Sequence, residues 1–163
     1  TTVRIKSSAD GPEDDWIKVN PGHTGFYRVK YPPGELERLT QPIRTLTLPA
    51  SDRLGIQGDA YALAKGGHIE ATQFLSVAEA YSNETDPSVC GDLAANLNSL
   101  DNLLANEIFH PGFQDFARGI FRPISQRIGS HDHFRHPRAG DSSVKLIVRF
   151  DTHHFNRQSR IFN

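Results

Sequence analysis

The sequence predicts a mainly α-helical protein with a small β part at its N-terminal end. Apolar residues recur at helical spacing through most of residues 35–128. Three short runs within residues 2–31 instead alternate between apolar and polar residues. We therefore expect β-strands of an incomplete sandwich, followed by antiparallel helical hairpins. A bundle and a helical-repeat-like array both fit this pattern.

Three strands are predicted, at residues 2–7, 16–19 and 26–31, because each run alternates at period two. Pro21, Gly22 and Gly25 supply a turn between the second and third strands. A Pro-Pro-Gly sequence at residues 32–34 ends the extended structure. Three strands alone are marginally stable in water, so further strands are expected upstream of residue 1.

Five helices are predicted after residue 34. The first covers residues 35–44, the second begins at a Ser51 or Asp52 cap and ends at Gly66 and Gly67, and the third covers residues 72–81. The second carries an apolar stripe with a flank of apolar residues: Ile56, Ala60 and Leu63, with Leu54, Tyr61 and Ala64.

The last two predicted helices have the clearest apolar stripes. Asp86 precedes Pro87 at the start of the fourth, whose stripe is Val89, Leu93, Leu97, Leu100 and Leu104. The fifth covers residues 112–128, with the stripe Phe113, Phe116, Ile120, Ile124 and Ile128. Pro123 is expected to kink this helix, and Gly129 suits its end.

Composition narrows the possible classes of protein. With 163 residues the chain allows one domain or parts of two. The net charge of −1 gives no indication of nucleic-acid binding, and no apolar run approaches the roughly 20 residues of a membrane-spanning helix. The only cysteine is Cys90, so an internal disulfide is excluded. The chain has no methionine, and we expect it to be an internal piece of a longer protein.

The charge changes sign near Gly129. Residues 1–129 contain 12 Lys/Arg and 16 Asp/Glu, a net charge of −4, whereas residues 130–163 contain 6 and 3, a net charge of +3. Residues 130–163 also hold five of the eight histidines. The predicted domains are therefore 1–31, the end of a β-sandwich; 32–129, the start of a helical domain; and 130–163, a divergent, weakly ordered tail.

The tail allows three interpretations. The segment 131–136 (HDHFRH) places imidazoles and a carboxylate close together, but its spacing matches no tetrahedral metal site. A polar tail and an unspliced or frame-shifted end of the coding sequence are the other two. Residues 144–150 still alternate enough to predict a strand.

Five segments resemble the zinc aminopeptidases of the aminopeptidase N type, and within them the puromycin-sensitive aminopeptidases. They are residues 16–20 (WIKVN), 25–29 (GFYRV), 52–57 (DRLGIQ), 76–107 and 121–124 (FRPI). The resemblance covers about residues 15–129. It implies the end of a β-sandwich domain followed by the start of a C-terminal helical domain, which forms a bowl over the active site and limits which peptides enter.

The catalytic chemistry that this resemblance implies lies outside the chain. The family's zinc site is His-Glu-x-x-His with a further glutamate, whereas no histidine here is followed by glutamate and no two lie four residues apart. The family's Gly-Ala-Met-Glu-Asn motif needs a methionine. We assign no catalytic, cofactor-binding or metal-ligating residue, and zinc is expected only in the full-length protein. We expect the chain alone to be inactive.

Individual residues favour structural roles. Tyr27 and Arg28 are considered as candidate site residues, and Tyr27 is interpreted as sheet packing. Cys90 is interpreted as a half-buried, inert thiol because no histidine lies near it in sequence. Asp14, Asp15, Glu35 and Glu37 are ordinary solvated carboxylates, which Arg38 and Arg44 could pair with.

The function expected from the sequence is a non-catalytic piece of a cytoplasmic zinc aminopeptidase. It would orient the helical domain over the catalytic zinc, with the catalytic domain of the same protein and the peptide substrate as partners, and with no nucleic acid and no membrane segment. The alternative is a free-standing helical protein-interaction module. We also expect apolar surface to be exposed at both ends of the chain, with Trp16 and Phe26 at one and Phe113, Phe116 and Ile120 at the other.

Overall fold

Short turns connect a series of α-helices in residues 16–130, which are the residues described by the structure, a computed structural model. The helices are α1 (Pro33–Arg38), α2 (Thr40–Arg44), α3 (Ala50–Lys65), α4 (Ala71–Glu79), α5 (Pro87–Leu103) and α6 (His110–Ser130). Two single 3-10 turns, Pro21–His23 and Ala80–Asn83, complete the regular structure of this range. The prediction of a mainly helical protein is confirmed.

The predicted first helix is divided into α1 and α2 at Leu39. Pro42 has no N–H to donate to the carbonyl one turn earlier, so it is accommodated only near the start of a helix, and α2 begins two residues before it. The Thr40 hydroxyl also donates to the Glu37 carbonyl at 2.7 Å, in competition with regular helical bonding. The expected ion pair within α1 is confirmed, because Arg38 Nη1 lies 2.6 Å from Glu35 Oε1.

Helix α3 begins earlier than the sequence predicted. Pro49 precedes it, and the Pro49 carbonyl accepts from the N–H groups of Asp52 and Arg53, each at 3.0 Å. The predicted side-chain cap is therefore wrong, and the Asp52 carboxylate has a different partner, described below. The C-terminal end is confirmed: Gly67 has φ +70°, the left-handed conformation that glycine adopts most easily.

Helices α4 and α5 follow their sequence signals closely. The Gln73 side-chain oxygen accepts from the Glu70 N–H at 3.1 Å, which fixes the start of α4 one residue before the prediction. Asp86 caps α5 as predicted, accepting from the N–H groups of Ser88 and Val89 at 2.9 and 3.1 Å. The N-terminal ends of α4 and α5 are thus both defined by side-chain hydrogen bonds.

The α5 and α6 stripes form much of the core. Leu97 is fully buried as predicted, whereas Leu100 is only partly buried. Phe113 and Ile120 are buried and Phe116 is partly buried, so the expectation that they form an exposed face is wrong. Helix α6 continues through Pro123, and the kink there stays a prediction.

Hydrogen bonds at both ends of α5 and α6 show the relative direction of these two helices. Asp101, late in α5, accepts from Gln114, early in α6, at 3.2 Å, and Arg127, late in α6, donates to the Ser82 carbonyl just before α5. Helices α5 and α6 are therefore antiparallel, as predicted for a helical hairpin. Helix α3 packs against both α4 and α5 and lies at the centre of the described range.

The predicted β part is not confirmed. Residues 16–31 contain no strand, and residues 2–7 lie outside the described range. The Asn20 side chain makes the hydrogen bonds that a neighbouring strand would make to Gly25. Its side-chain oxygen accepts from the Gly25 N–H at 2.8 Å, and its side-chain amide donates to the Gly25 carbonyl at 3.2 Å. The Tyr31 hydroxyl similarly accepts from the Val19 N–H at 2.9 Å. Side chains therefore satisfy backbone groups that a strand would satisfy with another backbone.

Leu97→Ala should lower the free energy of unfolding by about 2–5 kcal/mol, because it removes a fully buried side chain and leaves a cavity. Phe26→Ala is the control, since the Phe26 side chain is fully exposed and lies outside the core. Chemical denaturation of both variants measures the difference. Equal denaturation midpoints would contradict the core assigned to α5.

Candidate functional site

Helix α3 carries four buried polar side chains, which we call the α3 polar cluster: Asp52, Arg53, Gln57 and Asp59. Burial of such groups is unfavourable unless each has hydrogen-bond partners. Together with Ile56 and Ala60 they make α3 buried on several sides, without one apolar stripe. The cluster is the most distinctive chemical feature of the described residues.

Two carboxylates of the cluster bind the segment that precedes the helices. The Gly22 N–H donates to Asp52 at 2.7 Å, and the Val29 N–H donates to Asp59 at 3.0 Å. Arg28 forms an ion pair with Asp59 at 3.1 Å, with the guanidinium largely exposed and the carboxylate buried. Asp52 and Asp59 are seven residues apart, about two helical turns, so they lie on one face of α3.

A glycine between these carboxylates allows close approach. A Cβ atom at Gly55 would lie 2.4 Å from Nδ1 of the His23 ring, so a larger residue at this position would displace the ring. The turn that carries His23 is itself unusual, because Asn20 and His23 have φ values of +58° and +55°. Such left-handed conformations are unfavourable for residues other than glycine and persist where the surroundings hold them.

On another side of α3, Arg53 forms a buried ion pair with Glu84. Arg53 Nε donates to Oε2 at 2.7 Å and Arg53 Nη2 donates to Oε1 at 2.8 Å, which is the bidentate geometry that guanidinium favours. Glu84 Oε1 also accepts from the N–H groups of Thr85 and Asp86, each at 2.8 Å. Arg53 further donates to the Leu48 carbonyl. This one pair joins the first turn of α3 to the α2–α3 and α4–α5 connections.

The protonation equilibria of the pair reflect these contacts. Burial favours a raised pKa for Glu84, but hydrogen bonds from Arg53, Asp86 and Thr85 outweigh burial, and the pKa is lowered. The hydrogen bond to Glu84 raises the pKa of Arg53. The pair is therefore fully charged at neutral pH.

The fourth member of the cluster, Gln57, contacts α5. Its side-chain amide donates to Asp92 at 2.7 Å, and its oxygen accepts from Asn96 at 3.3 Å. Burial raises the pKa of Asp92, although the hydrogen bond from Asn96 acts in the opposite direction. Gln57 thus replaces apolar packing between α3 and α5 with a small hydrogen-bond network.

The geometry of the cluster suits the attachment of chain segments. Asp52 and Asp59 are occupied by backbone N–H groups, and Arg53 by Glu84. Within residues 16–130 no three His, Cys, Asp or Glu side chains lie close enough together to hold a metal ion. A nearby apolar cleft has room for about one water molecule, and its lining includes Tyr31, Ile56 and Leu63.

The structure contradicts some of the roles that the sequence predicted for individual residues and leaves others as predictions. Tyr27 is 55% exposed, so its predicted sheet packing is wrong, whereas Arg28 is bound to Asp59. Cys90 is fully buried, so the prediction of a half-buried side chain is wrong; burial raises the pKa of its thiol to about 12, and its inertness stays a prediction. The histidine-containing segment 131–136, Asp14 and Asp15 lie outside the described residues.

Sequence reasoning missed the α3 polar cluster and Glu84. One signal was available: charged residues interrupt the apolar stripe of a predicted helix at positions 52, 53 and 59. A helix that is polar at such positions yet central in the chain requires buried partners. The identity of those partners, one of them 31 residues away at Glu84, could not be read from spacing.

No helix within residues 16–130 combines the length and the hydropathy needed to cross a membrane.

Glu84→Gln should lower the free energy of unfolding by about 3–5 kcal/mol at pH 7, because it leaves the Arg53 charge buried without a counter-charge. Glu35→Gln is the matched control: its partner Arg38 is exposed, and the loss should stay below about 1 kcal/mol. Equal losses in the two variants would contradict the importance of the buried pair.

The same variant tests the pH dependence. The folded-state pKa of Glu84 lies below its ordinary value of 4.5, so its stabilising effect is present above pH 4.5 and is lost as the pH falls through the folded-state value. The raised pKa of Asp92 acts in the opposite direction in the acidic range. The free-energy difference between the original protein and Glu84→Gln should therefore shrink below about pH 4.5.

Comparison with known proteins gives a consistent result. A family model described as "ERAP1-like C-terminal domain" matches residues 16–149, beginning at Trp16 and continuing past Gly129. The chain is 34% identical over 121 residues to Aminopeptidase M1-A of Oryza sativa subsp. japonica, which covers 72% of the chain and 14% of that protein.

Two further relatives have similar coverage. Aminopeptidase M1 of Arabidopsis thaliana is 29% identical over 150 residues, covering 88% of the chain and 16% of that protein. The puromycin-sensitive aminopeptidase of Caenorhabditis elegans is 29% identical over 135 residues, covering 83% of the chain and 14% of that protein. The chain thus matches about one seventh of the length of these relatives. It belongs to the ERAP1-like C-terminal domain family, found in aminopeptidases of the aminopeptidase N type.

Proposed function

We propose that this chain is the non-catalytic junction of a zinc aminopeptidase that removes N-terminal residues from peptides. It would hold the helical domain in a fixed position over the active site and shape the chamber that peptides enter. The family membership supports an aminopeptidase context. Because the chain matches only about one seventh of each relative, the activity, the zinc, the peptide substrate and a cytoplasmic location belong to this proposal.

One observation carries the proposal: a single helix binds the preceding segment at two points. Asp52 and Asp59 hold the backbone at Gly22 and Val29. Lys18 lies 3.4 Å from Asp52 and is also buried, which adds a charge pair at the first point. Two points of attachment prevent rotation about either one, so anything connected before Trp16 would take its orientation from α3.

The connection is also coupled to the rest of the helices. Arg53 follows Asp52 in sequence and is fixed by Glu84, which lies immediately before α5. The Tyr81 hydroxyl donates to the Arg53 carbonyl at 2.7 Å. Orientation imposed on α3 is therefore shared with α4 and α5, as a wall of a substrate chamber requires.

Asp59→Asn tests the attachment directly, because the amide keeps the shape of the side chain but loses the charge that binds Arg28 and Val29. We expect faster amide hydrogen exchange over residues 26–31, measured by mass spectrometry on the full chain. Asp115→Asn is the control, since that carboxylate is on the surface and pairs within α6. Unchanged exchange in Asp59→Asn would contradict attachment through this residue.

The sequence encoded upstream of Thr1 tests the function itself. An in-frame His-Glu-x-x-His motif supports the aminopeptidase proposal, because this spacing places two zinc ligands on one helix face. An initiator codon directly before Thr1 would instead support the helical interaction module. In the encoded enzyme, Asp59→Asn should change the preference between long peptides and aminoacyl anilides, and Asp115→Asn should leave it unchanged.

The chain by itself should not hydrolyse aminoacyl anilides, with or without added zinc. Its sequence contains no His-Glu-x-x-His motif, and the described side chains offer no group that could hold a metal and activate water. A coupled absorbance assay on purified residues 1–163 measures this. Zinc-dependent turnover that co-purifies with the chain would overturn the assignment of a non-catalytic role.

A further inference from the structure

A patch of exposed apolar side chains lies at the tip of the α5–α6 hairpin, which we call the hairpin-tip patch. It consists of Leu103, Ile108 and Phe109, of which Ile108 is 96% exposed. Single exposed apolar residues are ordinary, but three grouped within seven residues, at the end of α5 and in the following connection, are typical of a covered surface. Nothing within the core described above needs them there, since α5 and α6 already pack through their stripes.

The electrostatics around the patch are acidic. Residues 101–117 contain three carboxylates, at Asp101, Glu107 and Asp115, and no lysine or arginine. Asp115 is paired with Arg118, which leaves Asp101 and Glu107 as the acidic side chains nearest the tip. Asp101 contacts His110 at 2.7 Å. A segment that covers this patch should therefore be apolar and basic.

Beyond the described residues, the stretch with the most apolar residues among those that are basic and lack acidic residues is 144–150. Residues 144–150 (VKLIVRF) hold five apolar residues, together with Lys145 and Arg149, and no acidic residue. The match to the family model continues to residue 149 and so includes nearly all of this segment. We infer that residues 144–150 dock on the hairpin-tip patch of the same molecule, with Lys145 and Arg149 facing Asp101 and Glu107.

The available length of chain permits this docking. Helix α6 starts beside the patch at His110 and ends at Ser130, about 30 Å away at 1.5 Å per residue. The 13 residues 131–143 span up to about 45 Å when extended, so the segment can return to the first turn of α6. A tether of this length gives an effective concentration in the millimolar range, which favours the same molecule over a second copy at micromolar protein.

The inference is independent of the aminopeptidase proposal, since it concerns two parts of one chain. A nitroxide spin label at Asn106→Cys places a probe beside the patch on an exposed residue, and the buried Cys90 does not compete for labelling. We expect the amide NMR signals of residues 144–150 to lose most of their intensity in the full-length labelled chain. Signals from the last turn of α6, about 30 Å along the helix axis from the patch, serve as the internal reference.

Two pairs of variants make the result specific. Ile108→Asp should restore the intensities, whereas Phe26→Asp, an equal change at another exposed residue, should not. Arg149→Glu should restore them, and Arg160→Glu should not. Intensities that stay high in the labelled chain would overturn the inference, as would losses that Ile108→Asp leaves unchanged.

A mixing experiment distinguishes docking within one molecule from docking between two copies of the chain. Spin-labelled chain without isotope is mixed with isotope-labelled chain without the spin label. Intensity loss confined to the single-molecule sample supports the docking proposed. Loss of equal size in the mixture would show that a second copy covers the patch and would overturn it.

Discussion

The buried ion pair of Arg53 and Glu84 is the interaction on which the helical arrangement depends. Arg53 lies in the first turn of α3, and Glu84 lies between the 3-10 turn and α5. The same guanidinium binds the Leu48 carbonyl before α3, and the same carboxylate binds the N–H groups that lead into α5. Ion pairs of this kind often add little net stability against an apolar alternative, but they permit very few geometries. Their contribution here is to fix the α2–α3 and α4–α5 connections in one position relative to the first turn of α3.

The α3 polar cluster extends this principle from the helices to the preceding segment. Apolar packing between α3 and residues 16–31 would allow sliding, because hydrophobic contacts are not directional. Hydrogen bonds are directional, so those from Gly22 and Val29 to two separate carboxylates prevent such sliding. A helix that uses its central faces for polar contacts must obtain its apolar burial elsewhere, and Ile56 and Ala60 supply it.

Sequence reasoning succeeded where a local signal decides the structure. The cap at Asp86, the glycine end of α3 and the buried Leu97 follow from propensity and from spacing at 3.6 residues per turn. Sequence reasoning failed where side chains distant in sequence determine the structure. Alternation at residues 26–31 predicts a strand, but Asp59 binds the Val29 N–H and the structure shows no strand there. The Arg53 and Glu84 partnership joins residues 31 positions apart, which a single sequence does not reveal.

The spacing of the two carboxylates on α3 has a consequence for chain length. Asp52 and Asp59 are separated by seven residues of helix, about 10.5 Å along its axis. The backbone groups that they hold, Gly22 and Val29, are also seven residues apart, yet seven extended residues would reach about 24 Å. The excess length is stored in the loop between the two anchors. Insertions of a residue or two at positions 26 and 27, where both side chains are exposed, can be absorbed by that slack without moving either end, so this part of the loop is where related chains can differ in length at the least structural cost.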